Sequence, residues 1–529
     1  VTGREPTTPG PARVVVVGHG MVGSRFVAEL VDRTSGRVDV TVLGAEEYEP
    51  YNRVLLSEVV SGSVDLTSLT LPTTTAAGVH VRAGAVVTAI DRVRGTVTTA
   101  DGDQVGYDHL VLATGARPRV PPGLGDGGAD TDAPTLPAGV HALRTLDDAR
   151  EIVAAAANAR RAVVVGGGVL GVEVACGLAG RGLDVTVVHR GPHLMERQLG
   201  DAAGAAMVTS LVGLGVGYRT GAELREVCRR DGVLVGVRLA DGELVPAELL
   251  VLTAGTAPRA GLAAAAGLEV RRGVVVDGAC MTADPAIWAI GDCAEPPGGG
   301  TGLVAEGWEQ ARRVAARLAA TVQGSAVAPP GGVTGGTTDI VRLKARGLDV
   351  IAMGRCGTGA GGAGGGRTVR LSDPAVGRYV EAVVDGGVVV GATCVGAGPV
   401  AADLVSAYTR RTPAPADPVH LLVRPLRGAA GAAEPSPTLM PDRATVCRCN
   451  GVTKGDVVGC WHDGARTVEE VAAATRATTG CGSCTDAVCG LLDWLRQADG
   501  GEEATARPQR RRTDPGRPAP RDRPVPAAR

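Results

Sequence analysis

Residues 12–31 read ARVVVVGHGMVGSRFVAELV, and this stretch decides the fold. Four consecutive valines suit a strand buried on both faces. Gly18, Gly20 and Gly23 follow at G-x-G-x-x-G spacing, and a segment of helical length continues from them. In that context the first glycine makes a tight turn, the second lets backbone approach a pyrophosphate, and the third lets helix pack on strand, with phosphates at the helix N-terminus. Glu46, 23 residues beyond Gly23, is suited to a ribose. The pattern recurs in residues 161–180, RAVVVGGGVLGVEVACGLAG, with Gly166, Gly168 and Gly171. Two dinucleotide-binding units are therefore expected. The second lacks the acid, because its strand, residues 185–188, runs into His189 and Arg190. Arg190 suits the 2′-phosphate of NADP, or else it faces solvent and NADH is used; the residues leave both open.

Working outward, valine runs alternate with Ala/Leu segments and glycine turns to about residue 320, the pattern of parallel α/β folding. Residues 338–410 turn strand-like, with residues 379–384 and 388–390 joined by Asp385-Gly386-Gly387, which suggests a small α+β domain. Residues 357–366 (GTGAGGAGGG) read as a flexible loop and residues 411–442, rich in Pro and Ala, as a linker. A cysteine-bearing segment follows at 443–497, and residues 498–529, rich in Arg and Pro, are expected to be disordered. The chain of 529 residues has room for three or four domains. Its net charge of −2 argues against a nucleic-acid or anionic-lipid surface, although Arg510, Arg511 and Arg512 form a local basic cluster. The polar start and the short run that follows it resemble neither a signal peptide nor a membrane span, so a cytoplasmic protein with reduced thiols is expected. Lysine occurs only at Lys344 and Lys454 among 54 basic residues, a bias that reads as genomic.

Further motifs carry a family resemblance. Ala113-Thr114-Gly115 follows residues 107–112 (YDHLVL), Ala254-Gly255 precedes Pro258, and Gly291-Asp292 closes residues 282–292 (TADPAIWAIGD). With the two glycine motifs, these resemble the two-dinucleotide flavoprotein reductases. Tyr51-Asn52-Arg53, His193-Leu194-Met195-Glu196-Arg197-Gln198-Leu199 and residues 343–350 (LKARGLDV) are most similar to the large subunit of NAD(P)H-nitrite reductase and the assimilatory nitrate reductase electron-transfer subunit. Gly200 departs from the acid usual there.

The resemblance implies an α/β chain with two nested Rossmann-like domains: an FAD domain of residues 11–125 plus 258–325, and an NAD(P)H domain at 138–257. A small α+β interface domain at 335–410 would follow. It implies FAD contacts from Gly18, Gly20, Gly23, Glu46, Arg53, Ala113, Thr114, Gly115, Gly291 and Asp292. It implies NAD(P)H contacts from Gly166, Gly168 and Gly171, with Gly255 at the junction where the chain returns and Glu173 near the nicotinamide, and it leaves Arg190 open between a nucleotide contact and solvent. Disulfide reductases need a cysteine against the flavin, yet none precedes Cys176. Electrons must leave by another route.

Cys447-Arg448-Cys449 and Cys481-Gly482-Ser483-Cys484 supply two close thiol pairs, enough for a tetrahedral metal site or a 2Fe-2S cluster. Zinc ligands usually lie two to four residues apart, so C-x-C tilts the reading toward iron and sulfur, with zinc and unliganded thiols as alternatives. The segment resembles the bacterioferritin-associated-ferredoxin-like 2Fe-2S domain, a small helical module. Cys460, Cys489, Cys176, Cys228, Cys280, Cys356 and Cys394 read as core thiols, and Cys293 as a neighbour of Asp292 without a redox role.

The expected function is an NAD(P)H-dependent FAD oxidoreductase feeding a separate terminal reductase through the cluster, a molybdopterin nitrate reductase first and a sirohaem nitrite reductase second. About 40 residues follow Cys489, none of them cysteine, and on that basis nitrite reduction by the chain itself is not expected. A reductase of a ferredoxin, rubredoxin or oxygenase is the alternative, and a cluster-bearing partner in iron release is a third reading. No membrane contact is expected, and a homodimer is compatible with the sequence.

Overall fold

The structure is a computed structural model that describes residues 11–34, 36–121, 124, 135–325, 340–355, 366–423, 440–447, 450–480 and 484–505. Its two compact bodies are Val1–Ala432 with Thr479–Gly482, and Ala433–Thr478 with Ser483–Arg529.

In the larger body, strand Ala12–Val17 sits at the centre of a five-stranded parallel sheet. Its neighbours are Val38–Leu43 and then Val79–Arg82 on one side, and His109–Leu112 and then Ile287–Ala289 on the other. Val14, Val15, Val16 and Val17 are all buried, as expected of a parallel strand covered on both faces. Helices Met21–Thr34 and Val304–Val322 cover one face with Phe26, Leu30, Val314 and Leu318.

The second motif builds the same object. Strand Arg161–Val165 is flanked by Asp184–Val188 and Val216–Arg219, and on its other side by Leu249–Leu252 and Val140–Ala142. Each sheet has a three-stranded antiparallel companion, Val87–Asp91 with Thr96–Thr99 and Gln104–Gly106, and Leu224–Arg230 with Val233–Leu239 and Leu244–Pro246. Two short antiparallel strands, Ala116–Pro118 and Thr256–Pro258, tie the crossings between the two units. They are closed reciprocally: Arg119 N–H donates to Gly255 O, and Arg259 N–H donates to Gly115 O, each at 2.9 Å.

A third, antiparallel sheet runs Val341–Arg342, Val350–Gly354, Val388–Val395, Arg378–Asp385, Arg367–Asp373 and carries helix Gly398–Arg410. The first expected strand lengthens by one residue at each end and the second runs on from 390 to Val395, around the tight turn at Gly386-Gly387, whose paired positive φ angles (56° and 75°) suit a two-residue hairpin loop. The expected linker is shorter than residues 411–442. Val388 bridges Pro413, Ala414 N–H bonds Gly387 O, and Leu422 is buried in the core of this sheet. Pro and Ala content concealed that Leu421 and Leu422 have an apolar surface to cover. Residues 424–439 and 356–365, the latter holding Cys356 and most of the expected glycine loop, lie outside the described residues.

The smaller body pairs strands Thr445–Cys447 and Val452–Thr453 and packs helices Lys454–His462, Val468–Thr475 and Thr485–Thr505 around Val457, Trp461, Val471, Val488 and Leu492. Capping boxes at Thr453 with Asp456 and Thr467 with Glu470 start two of the helices. The last helix passes the expected start of the tail at 498, because helix-forming Glu502, Glu503 and Ala504 precede the first proline at 508. Residues 506–529 lie outside the described residues, and among those described no helix is long and apolar enough to cross a membrane.

Burial lowers the pKa of His109, which packs edge-on against Trp288 at 5.3 Å, and of His19; Asp108 and Glu49 oppose the shift only in part. With folded values below the usual 6.5, the unfolded chain binds more protons as acid is added. Stability from these residues is present above pH about 6.5 and is lost as pH falls toward the folded values. Urea unfolding between pH 7.5 and 5.5 is expected to show this loss, with a shallower slope in His109→Asn.

Candidate dinucleotide and cluster sites

The first glycine turn is tightly enclosed at the sides and open in the middle. Gly18 has φ +113°, and a Cβ there would lie 2.2 Å from Ala113 O. A Cβ on Gly23 would lie 2.1 Å from Gly18 O, whereas the nearest atom to one on Gly20 is Arg53 Nε at 3.9 Å. Gly20 faces a cavity of about 510 Å³, within the usual range for bound cofactors. Gly18, Gly20, Glu46, Arg53, Ala113, Thr114, Gly115, Gly291 and Asp292 all line it, while Gly23 packs behind the turn. These residues come from four separated stretches of sequence, and the strand ends of one sheet bring them together.

Tyr51, Arg144 and Arg259 also line the cavity and were not anticipated. Glu46 pairs with Arg53 and accepts a hydrogen bond from Tyr51 Oη at 2.7 Å. Tyr51 in turn accepts from Leu146 N–H at 2.9 Å, and the Arg53 guanidinium lies 4.6 Å from its ring centroid. Burial raises the Tyr51 pKa, so the phenol stays protonated and donates. Arg144 holds Asp292 Oδ2 at 2.7 Å and Ala116 O at 3.0 Å. Its own N–H and that of Thr145 donate to Asp148, inside the cap of helix Leu146–Ala156. The T-x-x-D cap was readable in sequence; the reach of Arg144 across 148 positions was not. An open glycine, a ribose-type acid and flanking cations fit the phosphates and ribose of a dinucleotide such as FAD.

The second turn repeats this geometry. Gly166 also has φ +113° with a Cβ position 2.4 Å from Thr253 O, and the Gly171 Cβ position is 1.7 Å from Gly166 O. Gly168 caps helix Val169–Gly180 and has nothing within 4 Å. A nucleotide pyrophosphate fits there by the same argument. Arg190 is exposed. Glu173 is 3% exposed and already engaged: Ser57 Oγ donates to it at 2.6 Å, and Lys344 donates from its backbone N–H at 2.9 Å and from Nζ at 2.9 and 3.2 Å. One carboxylate thus ties together helices Leu56–Ser61 and Val169–Gly180 and the chain just after strand Val341–Arg342.

Burial raises the thiols of Cys176 (to about 11), Cys280 and Cys394 (each to about 12) and Cys293, and the Cys293 thiol donates to Ile290 O at 3.2 Å. These are protonated core thiols. In the smaller body Cys447 and Cys484 are buried. Thr478 N–H donates to Cys484 Sγ at 3.2 Å, and Asn450 Nδ2 donates to Cys447 Sγ at 3.8 Å. The Cys447 pKa falls below the ordinary thiol range, chiefly through its hydrogen bond with Cys484. Sulfur atoms receiving N–H donors fit thiolate ligands of an iron-sulfur cluster. Cys449 and Cys481 lie outside the described residues.

A family model described as pyridine nucleotide-disulphide oxidoreductase matches residues 12–317, and one described as a BFD-like [2Fe-2S] binding domain matches residues 445–494. The chain is 32% identical over 495 residues to the nitrite reductase [NAD(P)H] of Bacillus subtilis (strain 168), covering 93% of this chain and 58% of that protein. It is 29% identical to the assimilatory nitrate reductase electron transfer subunit of the same organism, over 92% of this chain and 60% of the other. The chain therefore spans about three fifths of the length of either relative. Among solved structures it is similar to the covalent putidaredoxin reductase-putidaredoxin complex, with 27% identity, a TM-score of 0.65, and coverage of 78% of this chain and 96% of that one.

Two outcomes test the geometry. Gly20→Ala should melt within about 1 kcal/mol of the wild type yet retain less FAD, whereas Gly18→Ala should lose about 1–3 kcal/mol from its backbone clash; thermal melts and the flavin-to-protein absorbance ratio separate the two. Lys344→Met leaves Glu173 buried and unpaired and should cost about 3–5 kcal/mol, most of it recovered in the double variant with Glu173→Gln; urea unfolding of all four proteins gives the cycle.

Proposed function

The chain belongs to the pyridine nucleotide-disulphide oxidoreductase family, and on that footing we propose that it carries electrons from NADH or NADPH through FAD and a C-terminal 2Fe-2S cluster to a separate terminal reductase. Nitrate reductase of the assimilatory type is the first candidate acceptor and nitrite reductase the second, in keeping with the relatives' names. The carrying observation is the repeated glycine turn, each with an enclosed first glycine and an open middle one, in a chain that also bears a BFD-like module. Residues 11–125 with 258–325 form the proposed FAD domain, 138–257 the nicotinamide domain, 335–410 with its extension to 423 the interface domain, and 443–497 the cluster module.

When bound, FAD supplies exchange between a two-electron hydride donor and one-electron carriers, and the cluster supplies a one-electron relay. The protein's own part is binding and orientation. The N–H groups at the starts of helices Met21–Thr34 and Val169–Gly180 would receive pyrophosphate, Glu46 would receive ribose hydroxyls, and Asp292, steadied by Arg144, would receive the ribityl chain. Glu173, whose oxygens are held by Ser57 and Lys344, orients the nicotinamide unit against the rest of the body. Cys447, Cys449, Cys481 and Cys484 would hold the cluster. Oxidation of one NAD(P)H to NAD(P)⁺ releases one proton and two electrons, so each turnover would reduce two one-electron acceptors or one acceptor twice. A cytoplasmic location is in keeping with cysteines that, among the described residues, form no disulfide.

Anaerobic stopped-flow mixing with NADH tests the reading: flavin bleaching is expected first and cluster reduction second. Cys481→Ser should keep nucleotide-to-flavin reduction within about twofold while delivery to a one-electron iron-sulfur acceptor falls at least about a hundredfold. A wild-type flavin that bleaches without later reduction of the cluster would contradict the chain of carriers.

A further inference from the structure

The second glycine turn has no acid at the end of its strand, but the fold brings one there. After strand Asp184–Val188 the chain folds back over the turn, and Met195 N–H donates to Gly167 O at 2.8 Å. Gly167 N–H donates to His189 Nδ1 at 3.1 Å, and His189 Nε2 contacts Glu196 Oε2. A backbone N–H can only donate, so Nδ1 must accept. The ring N–H is therefore at Nε2 and points to the Glu196 carboxylate.

Missing side chains make room for this arrangement. A Cβ on Gly191 would lie 2.0 Å from Glu196 Oε2 and 2.7 Å from His189 Nε2, and one on Gly167 would lie 2.3 Å from Leu194 Cδ2 and 3.0 Å from His189 Cγ. His189 occupies the first position after the strand, where a dinucleotide-binding unit holds the adenosine ribose. The acid absent from the strand is thus supplied seven residues later and held in place by the residue at the strand end.

We infer that Glu196 is the specificity-determining acid of this site, with His189 as its positioning residue, and that the pair selects NADH over NADPH. The carboxylate accepts a hydrogen bond from a ribose 2′-hydroxyl and repels a 2′-phosphate. Arg190 is the opposing influence. It is exposed and must give up rotamer freedom to reach a phosphate, whereas Glu196 is already ordered against His189. The inference rests on the proposal that this unit takes the nicotinamide nucleotide.

Isothermal titration of the flavin-loaded protein with ADP-ribose and 2′-phospho-ADP-ribose tests it without hydride transfer. The wild type should bind ADP-ribose about tenfold or more tighter than its 2′-phosphorylated form. Glu196→Gln, isosteric and on a partly exposed side chain, should narrow the ratio to about threefold or less, mainly by tighter binding of the phosphorylated ligand. In turnover the change should fall on the KM for NADPH and not on kcat. Equal or tighter binding of the phosphorylated ligand by the wild type, or an unchanged ratio in Glu196→Gln, overturns the selectivity inference while leaving the nucleotide reading intact. Binding of neither ligand overturns both.

Discussion

Close approach of backbone to backbone at the two glycine turns is the constraint on which the rest of the larger body depends. At Gly18 and Gly166 the space a side chain would need is filled by the carbonyl of a neighbouring strand, and at Gly23 and Gly171 by the turn itself. That packing aims a helix N-terminus at the strand ends and leaves Gly20 and Gly168 facing outward. Its consequences extend along the chain. The adjacent strand must end where the turn needs its carbonyl, and the short strands after Gly115 and Gly255 then cross and bond reciprocally. The cavity beside Gly20 exists because these strand ends stop together.

Charge placement is the second layer. Glu173 sits beside an apolar core to which helix Leu56–Ser61 and the second and third five-stranded sheets contribute, and Lys344 and Ser57 make its burial tolerable. With 52 of 54 basic residues arginine, the two lysines are informative. Lys344 is bound to Glu173, and Lys454 is buried against Met440 O at 2.9 Å and Asp442 at 3.1 Å. Both sites call for a compact ammonium, where a planar guanidinium would need more room. The lysine scarcity that composition assigned to genome bias thus marks two positions of packing.

Much of this was legible in the chain. Strand, turn and helix signals are local, so the two glycine units and the hairpin at Gly386-Gly387 could be read directly. Residues that act through distant partners could not. Tyr51 and Arg144 touch Leu146 N–H and Asp292 across 95 and 148 positions, and no periodicity encodes such a contact. Linker composition likewise hid Leu422, whose burial depends on a sheet formed by residues up to 81 positions earlier.

By itself the sequence determined the two dinucleotide units, one hairpin of the third sheet and the cysteine pairs, because each is written in spacing that a short stretch of chain imposes on itself. Only the tertiary structure decided how side chains from separate stretches meet. It gathered nine anticipated residues around one cavity, bound Glu173 to Lys344, and carried Glu196 back to His189. The physical reason is that backbone geometry follows from local sterics and hydrogen bonding, whereas a charge finds its partner only after helices and sheets have packed.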